Sequence, residues 1–273
     1  MKKTIKVLTA IMCVAVIVGA CFALVACNTD KTGLEDGTLN VATNCEFDPF
    51  EYLENGNPTG IDMEIMAAIA AELGVKLDIN DMAFESVVGA VGSGAQDIAA
   101  AGLTITEERL ASVDFTQTYF SASQVVIAKT GDPILSLNSI EEIEAALAGK
   151  TIGVQNGTTG YAYASGDSDD FDGVTDADNV KGFLSGALAV SAMLNNQVDY
   201  VIIDKVPAQK LVEANQGTAM SSVVLTQEQY AFAVKKGNNE LLDKVNAALT
   251  KLIENGKIKE IFDKYGVDND IVA

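Results

Sequence analysis

The sequence predicts an α/β fold of two lobes, each built on a mixed, mostly parallel sheet flanked by helices. Three observations lead there. Short apolar runs of strand length alternate with helical patterns along the chain, the order that builds parallel sheets. The alternation falls into two blocks. No linker rich in proline or glycine separates them, which implies strands that cross between the lobes and a hinge able to open and close a cleft.

In the first block, residues 38–43 read as a strand. Residues 62–73 carry Ile65, Met66, Ile69 and Leu73 on one helical face, with Gly74 as the stop. Residues 77–79 and 97–101 are further strands. Between them, 84–91 carries a second helical pattern ended by the glycines of Gly92-Ser93-Gly94. The second block opens with a strand over 124–129. Ser139 with Glu142 three residues later forms a capping box that starts a helix. There follow a strand over 151–155, a helix over 180–195, a strand over 200–203 and a helix over 207–214. Residues 230–234 are extended, and two amphipathic helices, 240–254 and 257–265, separated by Gly256, finish the chain.

The N-terminus has Lys2, Lys3 and Lys6 ahead of an almost uncharged apolar stretch over 7–26, the layout of a secretory signal. Leu24-Val25-Ala26-Cys27 and the polar run after it resemble a lipobox, in which cleavage precedes Cys27 and its thiol takes the lipid. Val18-Gly19-Ala20-Cys21 competes, but cleavage there would leave apolar residues 22–26 at the new terminus. An uncleaved spanning anchor does not require cysteine at that boundary. Residues 1–26 are therefore read as signal and 27–37 as a lipid-anchored linker on the extracytoplasmic face of the bacterial cell membrane. Cys45 is then the one free thiol of the mature chain, so no disulfide framework forms; with no histidine to activate it, Cys45 reads as a small apolar filler.

Loss of the three N-terminal lysines takes the formal charge from −20 to −23, which argues against nucleic acid as a partner. About 236 residues remain after the linker, enough for two domains. Histidine and tryptophan are absent, which excludes Ser-His-Asp and Cys-His nucleophile systems and histidine-containing zinc sites; no Walker or dinucleotide fingerprint is present, and no cofactor is expected. The acidic loop Ser168, Asp170, Asp172, Gly173, Asp176, Asn179 approximates EF-hand spacing but lacks aspartate at its first position and glutamate at its twelfth, so it reads as solvated and no metal is expected.

Arg109 is the single arginine against seventeen lysines. Lysine supplies generic charge equally well, so the exception points to a planar fork gripping a carboxylate through two parallel hydrogen bonds. A first-turn ion pair with Glu107 or Glu108 is the plainer reading, and this position alone does not separate them. Strand 97–101 runs into Gly102-Leu103-Thr104, and Thr106 is placed as N-cap of the helix beginning at Glu107. Free N–H groups there suit an anion, and Gly102 permits close approach to the main chain. Asn156-Gly157-Thr158-Thr159-Gly160 forms a second strand-to-helix turn. Asp204 ends a strand, where a carboxylate binds a ligand cation or caps the next helix; taken alone, the cap is favoured. Phe47, Phe50 and Phe84 stand at or beyond strand ends, able to sandwich a side chain.

These residues, with the strings at 44–52, 60–62, 101–109, 114–115, 154–160 and 198–204, resemble the solute-binding proteins of polar amino-acid ABC transporters, the bacterial extracellular solute-binding protein family 3, in lipoprotein form. The resemblance covers 38 to about 266. It implies a periplasmic-binding-protein-like type II flytrap, with lobe 1 formed by 38–120 and 230–273 and lobe 2 by 121–229. The hinge would lie near 119–123 and 227–230. It implies that Arg109 forks onto the ligand α-carboxylate, helped by Thr104 and by main-chain N–H groups of Thr104 and Thr159. Asp204 would hold the α-ammonium with the Gly102 carbonyl and the Thr104 hydroxyl. Phe47 and Phe84 would clamp the side chain, with Asn44 and Gln155 near its tip; Ala101, Leu103 and Thr158 complete the expected ligand-binding set. Many members carry aspartate where Asn44 stands, which weakens the case for lysine or histidine. Glu46, Asp48 and Glu85, close in sequence to the pocket, would restore a preference for cations, so the lean is to a basic or amide amino acid.

The function expected is that of a monomeric, lipid-anchored receptor delivering its amino acid to an ABC permease and its ATPase. The alternatives are a flytrap-fold enzyme of the cyclohexadienyl dehydratase type, with a buried glutamate such as Glu46 or Glu85 as general acid, and a sensory amino-acid-binding domain, which would need an output segment after Ala273.

Overall fold

The computed structural model describes Leu34 and residues 36–269. The signal expected over 1–26, Cys27 and most of the expected linker lie outside the described residues. Among those described, no helix is long and apolar enough to cross a membrane.

The first part of the chain runs β1 (Thr38–Thr43), a small meander of β2 (Glu46–Phe47), β3 (Glu51–Glu54) and β4 (Asn57–Thr59), then α1 (Ile61–Leu73), β5 (Lys76–Asp81), α2 (Phe84–Ser93) and β6 (Ile98–Ala99). A single helical turn, α3 (Glu107–Leu110), and the short strands β7 (Val113–Phe115) and β8 (Phe120–Ala122) complete it. The second part holds β9 (Gln124–Lys129), α4 (Ile140–Leu147), β10 (Ile152–Gln155), α5 (Thr159–Ser165) and β11 (Val180–Phe183). It continues with α6 (Gly186–Leu194), β12 (Tyr200–Asp204), α7 (Lys205–Ala214) and β13 (Thr218–Met220). The chain returns through β14 (Glu228–Tyr230) and β15 (Ala233–Lys235) to α8 (Asn239–Glu254) and α9 (Lys257–Tyr265).

Two five-stranded sheets result, ordered β5-β1-β6-β15-β7 and β11-β10-β12-β9-β13. In each, one strand runs against the other four, β15 in the first and β9 in the second. The two passages between the lobes, β8 and β14, pair with each other antiparallel, Phe120 opposite Tyr230 and Ala122 opposite Glu228. Each lobe has a core on the α2 or α4–α5 side of its sheet, while a third core is continuous from Leu39, Ile65 and Phe262 through Phe120 and Tyr230 to Ile127 and Val201. Its narrow part is aromatic: Phe120 packs against Phe50, Tyr230 and Phe262, and Tyr119 stacks on Phe232 at 4.4 Å.

Local chemistry explains most boundaries. Gly74 closes α1 and Gly94 closes α2, both left-handed. Ser139 Oγ accepts from Glu142 N at 3.2 Å, but the Glu142 carboxylate reaches back to the N–H of Asn138, one residue beyond the reciprocal box. Several expectations are corrected. The helix over 180–195 is a strand, β11, followed by the shorter α6: Val180 to Phe183 pair with the open edge of β10, and Ser185 caps α6 by accepting from Leu188 N. A short apolar run reads equally as strand or helix, and the free sheet edge decides it. The strand over 97–101 narrows to β6, and 230–234 divides into β14 and β15 around Ala231 and Phe232.

The β2–β4 meander positions α1. Gly60 offers no capping side chain, so the Pro49 and Phe50 carbonyls accept the N–H groups of Ile61 and Asp62. Gly60 has φ 122°, and a Cβ there would lie 2.3 Å from the Phe50 carbonyl oxygen. Gly60→Ala is expected to lower unfolding stability by about 2 kcal/mol or more, read as a fall in urea midpoint at unchanged slope.

Candidate functional site

The cleft between the lobes narrows to a cavity lined by Asn44, Phe47, Phe84, Gly102, Thr104, Arg109, Gln155, Thr158, Thr159 and Asp204. Five strand ends supply these residues: those of β1, β5, β6, β10 and β12, with the short segments that follow them. The cavity thus lies beyond carboxyl ends of strands in both sheets. Ala101 and Leu103 do not line it; their side chains sit in the core beneath α2 with Val87 and Val91. Phe50 is likewise core, packed on Phe120 and Tyr230. Glu46, Asp48 and Glu85 are exposed and outside the cavity lining, which removes them both as internal counter-charges and as buried general acids. Glu85 lines only the outer cleft, together with Glu108, Asp167 and Asp170.

Arg109 is 9% exposed. Its guanidinium donates to two main-chain carbonyls, Thr104 O at 2.7 Å on its own lobe and Gly157 O at 3.0 Å on the other, and lies 5.6 Å over the Phe84 ring. One of the two hydrogen bonds thus crosses the cleft, and neither goes to Glu107 or Glu108, both exposed. Thr106 accepts from Arg109 N as the N-cap, so this single turn aims the arginine inward. Burial pulls the guanidinium down from its usual range, against the raising effects of Glu228 and Asp204.

Asp204 occupies the N-cap position of α7 without making a side-chain capping bond, contrary to the reading favoured from sequence alone. Its carboxylate instead accepts from the Tyr230 hydroxyl at 2.5 Å. Burial, and then the charge of Glu228, push the Asp204 carboxyl up to about 7. Glu228 is the buried acid that sequence reasoning missed. Its Oε2 accepts from Thr104 Oγ1 at 2.6 Å and Thr159 Oγ1 at 2.8 Å, and its Oε1 accepts from Thr226 Oγ1 at 2.7 Å. The signal available was a glutamate on a strand in the second crossing segment, where strand alternation turns one residue in two inward.

At the other end of the cavity, Gln155 Nε2 donates across the cleft to Asn44 Oδ1 at 2.8 Å and to Leu184 O at 3.2 Å, while Asn44 Nδ2 donates to Met82 O. Gln155 Oε1 is buried with no hydrogen-bond partner among the described residues. Gly102 has φ 52°, and a Cβ there would lie 2.8 Å from the Phe47 ring; the ring occupies space that only glycine leaves. Below it, Asp62 accepts the Gly102 N–H at 3.0 Å and the Tyr119 hydroxyl at 2.7 Å, tying the turn to the segment that leads into β8. Cys45 is buried next to the site, its thiol pushed up to about 12 by burial and by Asp81, so it stays a neutral filler. Among the described residues no cluster of acidic or cysteine side chains is placed to hold a metal ion.

Residues 39–268 match the model of the bacterial extracellular solute-binding proteins, family 3. The chain belongs to this family. It is 30% identical over 256 residues to the arginine-binding extracellular protein ArtP of Bacillus subtilis, covering 91% of this chain and 95% of ArtP. Among solved structures it superposes with TM-score 0.75 on the arginine-, lysine-, histidine-binding protein ArtJ of Geobacillus stearothermophilus, at 31% identity over 86% of this chain and 97% of that one. An ancestral arginine-binding protein with glutamine bound matches at TM-score 0.73 and 36% identity, over 84% of this chain and 97% of that one. The two-lobed α/β architecture is that of these family 3 proteins, whose family binds solutes rather than transforming them.

Tyr230 holds Asp204, and its hydroxyl favours the ionised carboxylate. Tyr230→Phe is expected to raise the Asp204 pKa by about one further unit above about 7, read by carboxyl-carbon NMR titration.

Proposed function

We propose that this family 3 protein captures a polar L-amino acid outside the cytoplasm and presents it to an ABC importer, its partners being the permease and its ATPase. One observation carries the reading: Arg109 of one lobe and Asp204 of the other line the same cavity, opposite charges for the two ends of one zwitterion. Arg109 takes the α-carboxylate, with the main-chain N–H groups of Thr104 and Thr159. Asp204 takes the α-ammonium with the Gly102 carbonyl and the Thr104 hydroxyl, and Phe47 and Phe84 flank the side chain. A ligand gripped from both lobes binds the closed state far better than the open one, so capture and closure are one equilibrium.

The side chain taken is basic or amide. Supporting this, the buried Gln155 Oε1 offers an unfilled acceptor beside Asn44, which suits a guanidinium or carboxamide N–H. The relatives named for arginine, and the ancestral one holding glutamine, agree with that chemistry.

The same reading divides the chain into lobe 1 at 38–120 with 230–273 and lobe 2 at 121–229, hinged where β8 and β14 pair. It also makes the protein a monomer anchored through lipid on Cys27; mass spectrometry of the membrane-extracted N-terminal peptide should find a diacylglyceryl thioether on Cys27 and none after Cys27→Ser.

A thermal-shift screen of the twenty amino acids with ornithine, citrulline and cystine should give a melting temperature that rises with the logarithm of ligand concentration for a basic or amide member. Arg109→Lys should weaken that ligand by about a hundredfold or more in calorimetry, because an ammonium cannot reproduce the fork; affinity within a few fold of wild type would remove the carboxylate role.

Binding should also depend on pH with a defined sign. The free Asp204 carboxyl titrates at about 7, and only its ionised form attracts an ammonium. Below that value binding must expel a proton, so affinity should fall by up to about tenfold per pH unit as pH drops, and level off above about pH 8. Proton release measured in two buffers of different ionisation enthalpy checks the linkage.

A further inference from the structure

Glu228 lies outside the cavity lining, yet it takes the hydroxyl protons of two residues that line it. A threonine hydroxyl has one proton to donate and two lone pairs. Thr104 gives its proton to Glu228 Oε2 at 2.6 Å, so toward the cavity it presents only lone pairs. Thr159 gives its proton to the same oxygen at 2.8 Å and accepts from Gln124 Nε2 at 3.2 Å, so its proton and one lone pair are already committed. The second carboxylate oxygen is held by Thr226, which keeps the group from rotating. All of these groups are buried or nearly so, away from water that would otherwise compete for the hydroxyls.

We propose that Glu228 is a positioning residue of the ligand site: it orients the Thr104 hydroxyl as an acceptor for the ligand ammonium and ties Thr104 of one lobe to Thr159 of the other through one carboxylate on the crossing strand β14. Without it, Thr104 is free to turn its proton into the cavity, where it would oppose an ammonium and favour an uncharged or anionic group. The effect is specific to one end of the ligand. This inference rests on the reading that Asp204 and Thr104 receive an α-ammonium.

The test compares L-arginine with 5-guanidinopentanoate, which keeps the carboxylate and guanidinium and lacks only the amine, in wild type, Glu228→Gln and Glu228→Met. If glutamine is the amino acid retained, L-glutamine and 4-carbamoylbutanoate replace them. Glutamine keeps an acceptor oxygen for the two hydroxyls, whereas methionine keeps the volume and removes the acceptor. The expected result is that Glu228→Met lowers the preference for the amino acid over its deamino analogue by about tenfold or more, while Glu228→Gln holds it within about threefold. Equal weakening of both compounds would reduce Glu228 to a structural role and overturn the proposal. So would an unchanged preference in Glu228→Met, or equal losses in both variants, the latter assigning the effect to charge alone. If the methionine variant does not fold, Glu228→Ala carries the same comparison. Failure of wild type to bind any amino acid would strike the preceding reading instead, which keeps the two distinguishable.

Discussion

A single buried cation facing two buried carboxylates sets the terms for the rest of this molecule. Arg109, Asp204 and Glu228 are each less than a tenth exposed, and Arg109 makes its hydrogen bonds to carbonyls rather than to either acid. Charges taken out of water are tolerated only when paired or fully hydrogen-bonded. Here the satisfaction is shared: Asp204 leans on Tyr230, Glu228 on three threonine hydroxyls, and Arg109 on one carbonyl from each lobe. On the proposed function, an incoming zwitterion would complete this set, replacing a carbonyl by a carboxylate at one end and giving Asp204 a cation at the other.

The fold delivers these groups from places far apart in sequence. Arg109 belongs to a one-turn helix after the first sheet, Asp204 to the last residue of a strand in the second, and Glu228 and Tyr230 to the strand that carries the chain back. What holds them in register is the hinge. Its two strands pair with each other, and their side chains join an aromatic column that links Phe50, Tyr119 and Phe120 to Phe232 and Phe262. Asp62 extends this support upward, holding the Gly102 turn with one oxygen and the Tyr119 hydroxyl with the other. The crossing strands and the Gly102 turn are therefore joined through one carboxylate.

Legibility of the site followed the range over which its chemistry acts. Arg109 was visible as a compositional exception, and Gly102, Thr104, Thr158 and Thr159 as strand-to-helix turns, because turn chemistry is local. Asn44 and Gln155 were singled out only through the family pattern, and Phe47 and Phe84 stood out at strand ends together with Phe50; nothing local separates Phe47 from Phe50, yet one lines the cavity and the other lies in the core. Asp204 was visible as a carboxylate at a strand end, but whether it capped α7 or faced the cavity depended on Tyr230, twenty-six residues later. Glu228 carried no local mark. A glutamate in a short strand reads as a solvated edge until the strand is seen to pass between two lobes.

The sequence by itself determined the alternation of strands and helices in two blocks, the helix stops at Gly74 and Gly94, and the shortage of catalytic chemistry, since each follows from short-range sterics, capping or composition. The tertiary structure decided whether Val180 to Phe183 would be helix or strand, which aromatic rings would line the cavity, and how Arg109, Asp204 and Glu228 would be brought together. Those outcomes depend on which sheet edge, core or hydroxyl lies opposite, and a neighbour a hundred residues away leaves no trace in the local pattern.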